Sequence, residues 1–158
     1  MSHRDIVIFP DPVLRTPCDP ILDINQGVKQ LVEDLLENVN QEGRAGLAAN
    51  QIGVSLQAFS WNIEGEIGYI LNPEITYLSK TIQETEEGCL SIPTQYYLSQ
   101  RSLKAKCRGI DLDGKTKIIC GENVFAKMIQ HECGHLKGQL FIDILQGQAR
   151  IQALRDII

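Results

Sequence analysis

Gln130-His131-Glu132-Cys133-Gly134-His135-Leu136-Lys137-Gly138 is the stretch on which the reading of this chain turns. Read as a helix, it puts the imidazoles of His131 and His135 one turn apart on one face, close enough for both to bind one metal ion. Glu132, next along from the first of them, brings a carboxylate within reach of a water activated by that ion without being a ligand itself. Water-activating hydrolases use this arrangement. Val124, Phe125, Met128 and Ile129 recur at helical spacing just upstream, and Gly138 suits the left-handed residue that ends a last turn. Gly134 weakens the helix by about 1 kcal/mol relative to Ala, so packing or metal must support that turn. Two histidines four apart also occur on ordinary solvated helices, and H-E-x-x-H alone does not separate the two readings.

Working outward, the 158 residues, 43% hydrophobic and 22% charged, suit one globular domain spanning 1–158 and able to bury a full core. A net charge of −5 offers no basic footprint for direct nucleic-acid binding. There is no apolar run long enough to span a bilayer, and Met1-Ser2-His3-Arg4-Asp5 lacks a signal-peptide pattern, so the expectation is a cytoplasmic rather than an organellar or membrane protein. Cys18, Cys89, Cys107, Cys120 and Cys133 are an odd set without a paired framework and read as reduced thiols.

Upstream, Ile6-Val7-Ile8-Phe9 is a short strand or extended run stopped by Pro10 and Pro12. Asp23 with Gln26 has the form of a capping box, followed by Val28, Leu31, Val32, Leu35, Leu36 and Val39 on one helical face. Gly43 to Gln51 is rich in small residues, a loop and a packed turn. Strands are expected at Leu56 to Trp61 and Ile67 to Leu71, the second closed by Asn72-Pro73. Leu103, Ala105 and Cys107 alternate with charged residues, and Asp113-Gly114 turns that strand into Lys115 to Cys120. Ala149 to Leu154 is either a short final helix or a frayed end.

A third metal ligand has to come from outside the helix, and His3 is a poor candidate in a terminal segment. Cys89 is the better one. It lies in Glu86-Glu87-Gly88-Cys89-Leu90-Ser91-Ile92-Pro93, where Gly88 and a following turn can present a thiolate and a neighbouring backbone N–H to a cleft. A small buried hydrophobe is the commoner state of a free cysteine, and local sequence leaves that alternative open.

Taken together, Ala45-Gly46-Leu47-Ala48-Ala49-Asn50-Gln51, Glu87-Gly88-Cys89-Leu90-Ser91 and Gln130-His131-Glu132-Cys133-Gly134-His135-Leu136 resemble, in order and separation, the three motifs of peptide deformylases. The resemblance implies an α+β fold, a single domain with antiparallel or mixed sheets packed around a central H-E-x-x-H helix. It implies Cys89, His131 and His135 as metal ligands and Glu132 as the acid/base, with Gln51 and the Leu90 backbone N–H stabilising an oxyanion. Ala45, Gly46, Gly88, Tyr96 and Met128 would border the substrate. The implied cofactor is one divalent ion, Fe²⁺ in the cell, with Zn²⁺, Ni²⁺ or Co²⁺ in purified protein. The implied partners are N-formylmethionyl nascent peptides, with the ribosome a candidate place of encounter. A zincin-like endopeptidase and a catalytically lapsed, metal-bound interaction module are the alternatives. Four positions depart from the family pattern: Arg44 stands for the usual Gly, Ala45 for a larger aliphatic residue, Gly134 for an Asp able to pair with an arginine such as Arg101, and Tyr96 for an Arg.

Overall fold

The computed structural model describes residues 3–157. Chain order gives α1 (Gln26–Val39), β1 (Gly46–Ala48), β2 (Ala58–Ile63), β3 (Glu66–Leu78), β4 (Ile82–Cys89), β5 (Ile92–Ser102), β6 (Lys104–Ile110), β7 (Thr116–Glu122), α2 (Val124–Leu136) and α3 (Gly147–Ile157). One sheet has the order β1-β2-β3-β6-β7, the other is the hairpin β4-β5, and all these pairings are antiparallel. This is the expected α+β arrangement.

Strand alternation explains how two helices share one sheet. Leu47, Ala58 and Leu71 point to α1, joining Leu31, Val32, Leu35 and Val39, whereas their neighbours Ala48, Phe59 and Ile70 point to α2. On that second side Ala126, Met128, Ile129, Cys133 and Leu136 of α2 close over Trp61, Ala105, Cys107 and Ile119. Fully burying each large apolar side chain contributes about 1.5–3 kcal/mol, which seats the helix despite its internal glycine. A third cluster, Leu14, Ile92, Tyr97, Leu140, Phe141, Leu145 and Ala153, joins the β4-β5 hairpin to α3 and the segment after α2. The helix carrying His131 and His135 is thus held between sheet and hairpin. Among the described residues no helix is long and apolar enough to cross a membrane.

Several expectations need correction. Ile6 to Phe9 joins neither sheet and ends in a turn at Phe9-Pro10; Val7 N–H donates to Gln51 O and Phe9 N–H to Ser91 O. The cap of α1 is Asn25, whose Oδ1 accepts from Val28 N–H at 3.0 Å, in place of Asp23. Strand β3 does not end at Asn72-Pro73: the register shifts between Leu71 and Glu74, the bulge absorbs the proline that cannot donate, and the strand continues to Leu78. Asn72 is held there by Ile21, whose N–H and C=O both bond its side-chain amide. The hairpin β6-β7 forms across Asp113-Gly114, and the last helix runs longer than Ala149 to Leu154. The β4-β5 hairpin was not anticipated as a pair of strands.

Candidate active site

The last two turns of α2 bring His131 and His135 together with their rings edge to face, Nε2 to Nε2 at 3.1 Å. Cys89 arrives from the end of β4, where the register with β5 breaks between Gly88 and Cys89, and its Sγ lies 3.3 Å from His135 Nε2. These three donor atoms lie within 4.8 Å of one another. A sulfur and two imidazole nitrogens pointing at a common centre is a donor set suited to a divalent cation with soft to borderline preferences. Burial and the neighbouring His131 hold His135 well below its ordinary pKa, keeping its lone pair available. Burial opposes charge on His131, yet hydrogen bonds to Cys89 and Glu87 outweigh it and raise its pKa, so an ion binding at this ring has to displace a proton.

Orientation of His131 comes from Glu87, whose Oε2 lies 2.6 Å from His131 Nδ1 and directs the other ring nitrogen to the cluster. Glu87 is itself fixed: Arg101 donates from Nε to Oε1 at 3.0 Å and from Nη2 to Oε2 at 2.7 Å, and Ser99 Oγ donates to Oε1 at 2.6 Å. Burial would raise its pKa, but bonds from His131 and Arg101 prevail and hold it far below the usual carboxylate range. On its other side the His131 ring stacks on Phe141, which stacks on Tyr97. His135 is tied through its backbone O, which accepts from Asn50 Nδ2 at 2.8 Å.

Glu132 is 3% exposed, and its Oε1 has no hydrogen-bond partner among the described residues. Burial pushes its carboxyl up to about 7, the range in which a group can both take and return a proton near neutrality. Gly46 makes room for it: a Cβ there would stand 2.6 Å from Glu132 Oε2. Gln51 accepts Ala48 N–H at Oε1 and aims Nε2 at Ser91 Oγ (3.1 Å) and Cys89 Sγ (3.6 Å).

A cavity of about 550 Å³ opens onto these groups. Cys89, His131, Glu132, Gln51 and Leu90 line it beside Ala45, Gly46, Gly88, Tyr96 and Met128, while His135 lies behind the wall at 1% exposure. Arg44 does not line it; its Nη1 donates to Asn38 O at 2.7 Å, at the end of α1. Gly134 does not face Arg101 either: a Cβ there would meet Gln139 at 3.9 Å, and Arg101 has its carboxylate in Glu87. Glu87, within the second motif, is the functional residue that sequence reasoning missed. Its partners Ser99, Arg101 and His131 come from β5 and α2, so no local pattern in the sequence marks it.

A sequence model of the family described as polypeptide deformylase matches residues 3–150. The chain is 41% identical over 157 residues to a peptide deformylase of Acidothermus cellulolyticus, covering 99% of this chain and 87% of the relative. Its fold superposes on a peptide deformylase from Legionella pneumophila with a TM-score of 0.89 at 36% identity, covering 98% of this chain and 92% of that one. A plant peptide deformylase gives a TM-score of 0.91 at 29% identity, with 98% and 87% covered. With a family match across nearly its whole length and close agreement in fold, this chain belongs to the polypeptide deformylase family.

Proposed function

We propose that this chain, acting as one domain over residues 1–158, hydrolyses the N-formyl group of N-formylmethionyl peptides from nascent proteins and releases formate. The observation that carries the reading is the convergence of Cys89, His131 and His135 at the wall of a cavity that also holds the buried carboxyl of Glu132. A divalent ion held by these three residues supplies, when bound, the Lewis acidity that makes water nucleophilic near neutral pH. Glu132 takes the proton of the attacking water. Water oxygen bonds to the formyl carbon, the C–N bond breaks, and Glu132 returns the proton to the leaving amine. Gln51 Nε2 and the Leu90 backbone N–H are the donors for the oxygen that gains negative charge, worth several kcal/mol in a site shielded from water.

The methionine side chain enters the apolar part of the cavity at Met128, and the following residues lie between the Ala45–Gly46 edge and the Gly88–Tyr96 edge. The cavity volume falls in the range of small-ligand sites. The thiolate makes Fe²⁺ workable as the native metal, with Zn²⁺, Ni²⁺ and Co²⁺ as substitutes. The setting is the bacterial-type cytoplasm, and the substrate is met on chains emerging from the ribosome. No observation favours an endopeptidase or a lapsed module.

The test is formate release from a formyl-Met peptide by anaerobically purified, iron-loaded protein, with Glu132→Gln alongside. Glu132→Gln is expected to keep its metal and lose at least ~10²-fold in kcat. Full activity in that variant would remove Glu132 from the mechanism, and absence of formate from the wild type would overturn the reading.

A further inference from the structure

The outer face of the β4-β5 hairpin does not stop at the cavity. Alternation puts Glu84, Glu86 and Gly88 of β4 on one face with Tyr96, Leu98 and Gln100 of β5, in the cross-strand pairs Gly88/Tyr96, Glu86/Leu98 and Glu84/Gln100. Glu86, Gly88 and Tyr96 border the main cavity. Glu84, Leu98 and Gln100 border a second hollow of about 200 Å³, completed by Ile144, Gln146 and Gln148. The two hollows are therefore ends of one strip. Tyr96 and Leu98, 62% and 56% exposed, stand along it as apolar side chains in water.

We infer that this strip is a peptide-binding surface continuing the active-site cavity, and that it takes the residues of the same formylated chain roughly four or more places beyond the cavity, with Lys or Arg favoured there. The inference rests on the deformylase reading for its occupant. Residues 88 and 84 are separated by four strand steps, roughly 13 Å, the span of about four residues of an extended peptide. The glutamine amides at the far end each donate and accept, which matches a peptide main chain that needs both. Charge sets the preference. Among the described residues Glu84 accepts only the neutral Gln100 amide, at 3.2 Å, and neither Glu84 nor Glu86 has an ion-pair partner. Lys127, the cation at this rim, is directed to Thr85 Oγ1 and to the backbone O of Glu86.

The test compares formyl-Met peptides of three and of eight residues, the latter with Lys, Ala or Glu at positions five to seven, on wild type, Glu84→Gln and Leu98→Ala. The Lys peptide is expected to show a KM about fivefold below the Glu peptide, the size expected of one or two partly exposed ion pairs, with kcat unchanged. That gap is expected to shrink with added salt and to narrow in Glu84→Gln, where Glu86 alone remains. Leu98→Ala is expected to raise KM for every eight-residue peptide, while constants for the three-residue peptide stay the same in all variants. Binding of fluorescein-labelled, unformylated forms of these peptides is followed in parallel by anisotropy. Lys-dependent binding without formate release from any peptide would sink the hydrolysis reading and keep the surface. Equal KM and equal binding across lengths and charges, with formate released, would sink the surface.

Discussion

Glu87→Gln separates two jobs that the wild-type side chain performs together. The carboxylate accepts from Ser99, twice from Arg101 and from His131 Nδ1, at 2.6 to 3.0 Å, and is 3% exposed. Replacing it with an amide sets an NH₂ against one of these donors and leaves the Arg101 guanidinium, its side chain 11% exposed, without a counter-charge. Removing one partner of a buried pair costs about 3–5 kcal/mol, and the residual exposure of Arg101 puts the expected loss near the lower end, about 3 kcal/mol. In a chain of this size that corresponds to a fall in Tm of roughly 6–12 °C. Independently, His131 loses the acceptor that sets its ring orientation, which typically weakens metal affinity about 10- to 100-fold. Thermal unfolding of metal-free protein reads the first effect, and competition with a chromophoric chelator for Zn²⁺ or Co²⁺ reads the second. The double variant Glu87→Gln/Arg101→Met removes the stranded charge and is expected to regain most of the stability without regaining affinity. Recovery of both together would refute the argument, because Glu87 would then matter only as the counter-ion of Arg101.

Two further outcomes follow from other parts of the molecule. Gly134→Ala is expected to raise stability by about 1 kcal/mol in chemical denaturation, since Gly134 lies inside α2 and its new Cβ would meet nothing nearer than Gln139 at 3.9 Å; a loss would mean the turn needs a conformation that Ala resists. Burial, then the hydrogen bond from its OH to Asp156 Oδ2 at 2.9 Å, pushes the Tyr97 hydroxyl up to about 12, so the protonated form is favoured by folding and its contribution is complete below about pH 10 and lost as pH rises toward 12. Urea unfolding at pH 8 and pH 11 is therefore expected to show a smaller pH-dependent loss for Tyr97→Phe than for wild type, and equal losses would remove Tyr97 from that account.

Elements with an apolar stripe were readable in advance. The face of α1, the run before His131 and the alternation of β6 all survive in the structure because burial there is carried by Leu, Val, Ile, Ala and Cys. From Glu84 to Gln100 the β4-β5 hairpin also alternates in burial, but its inward positions include Thr85, Glu87 and Ser99, so hydropathy carried no signal. Strand β3 was cut short by a sound local rule for proline, overridden by a bulge and by the hold of Asn72 on Ile21. The cap of α1 shifted from Asp23 to Asn25 because several nearby side chains can serve and tertiary packing of the entering loop selects one. Within the candidate site, His131, Glu132 and His135 were legible as neighbours on one helix. The approach of Cys89, 46 residues before His135, depended on the family motifs. Glu87 was out of reach because its donors come from β5 and α2, and nothing local in Glu86-Glu87 distinguishes the buried carboxylate from the exposed one.

Gly88 and Tyr96 face each other across the hairpin, and a Cβ at position 88 would stand 2.5 Å from Tyr96 Cε1. The two positions are therefore not free to drift separately. A lineage that enlarges residue 88 while the tyrosine ring lies over it must swing that ring aside or displace the strand end that delivers Cys89, whereas one that first trades Tyr96 for a small side chain opens the way for a later change at 88. The same two substitutions are thus costly in one order and passable in the other, a case of epistasis written into a single cross-strand pair. Laboratory evolution of the groove would meet the same constraint: libraries that vary position 96 alone miss the changes at 88 that a small residue at 96 permits, and varying 88 and 96 together reaches them.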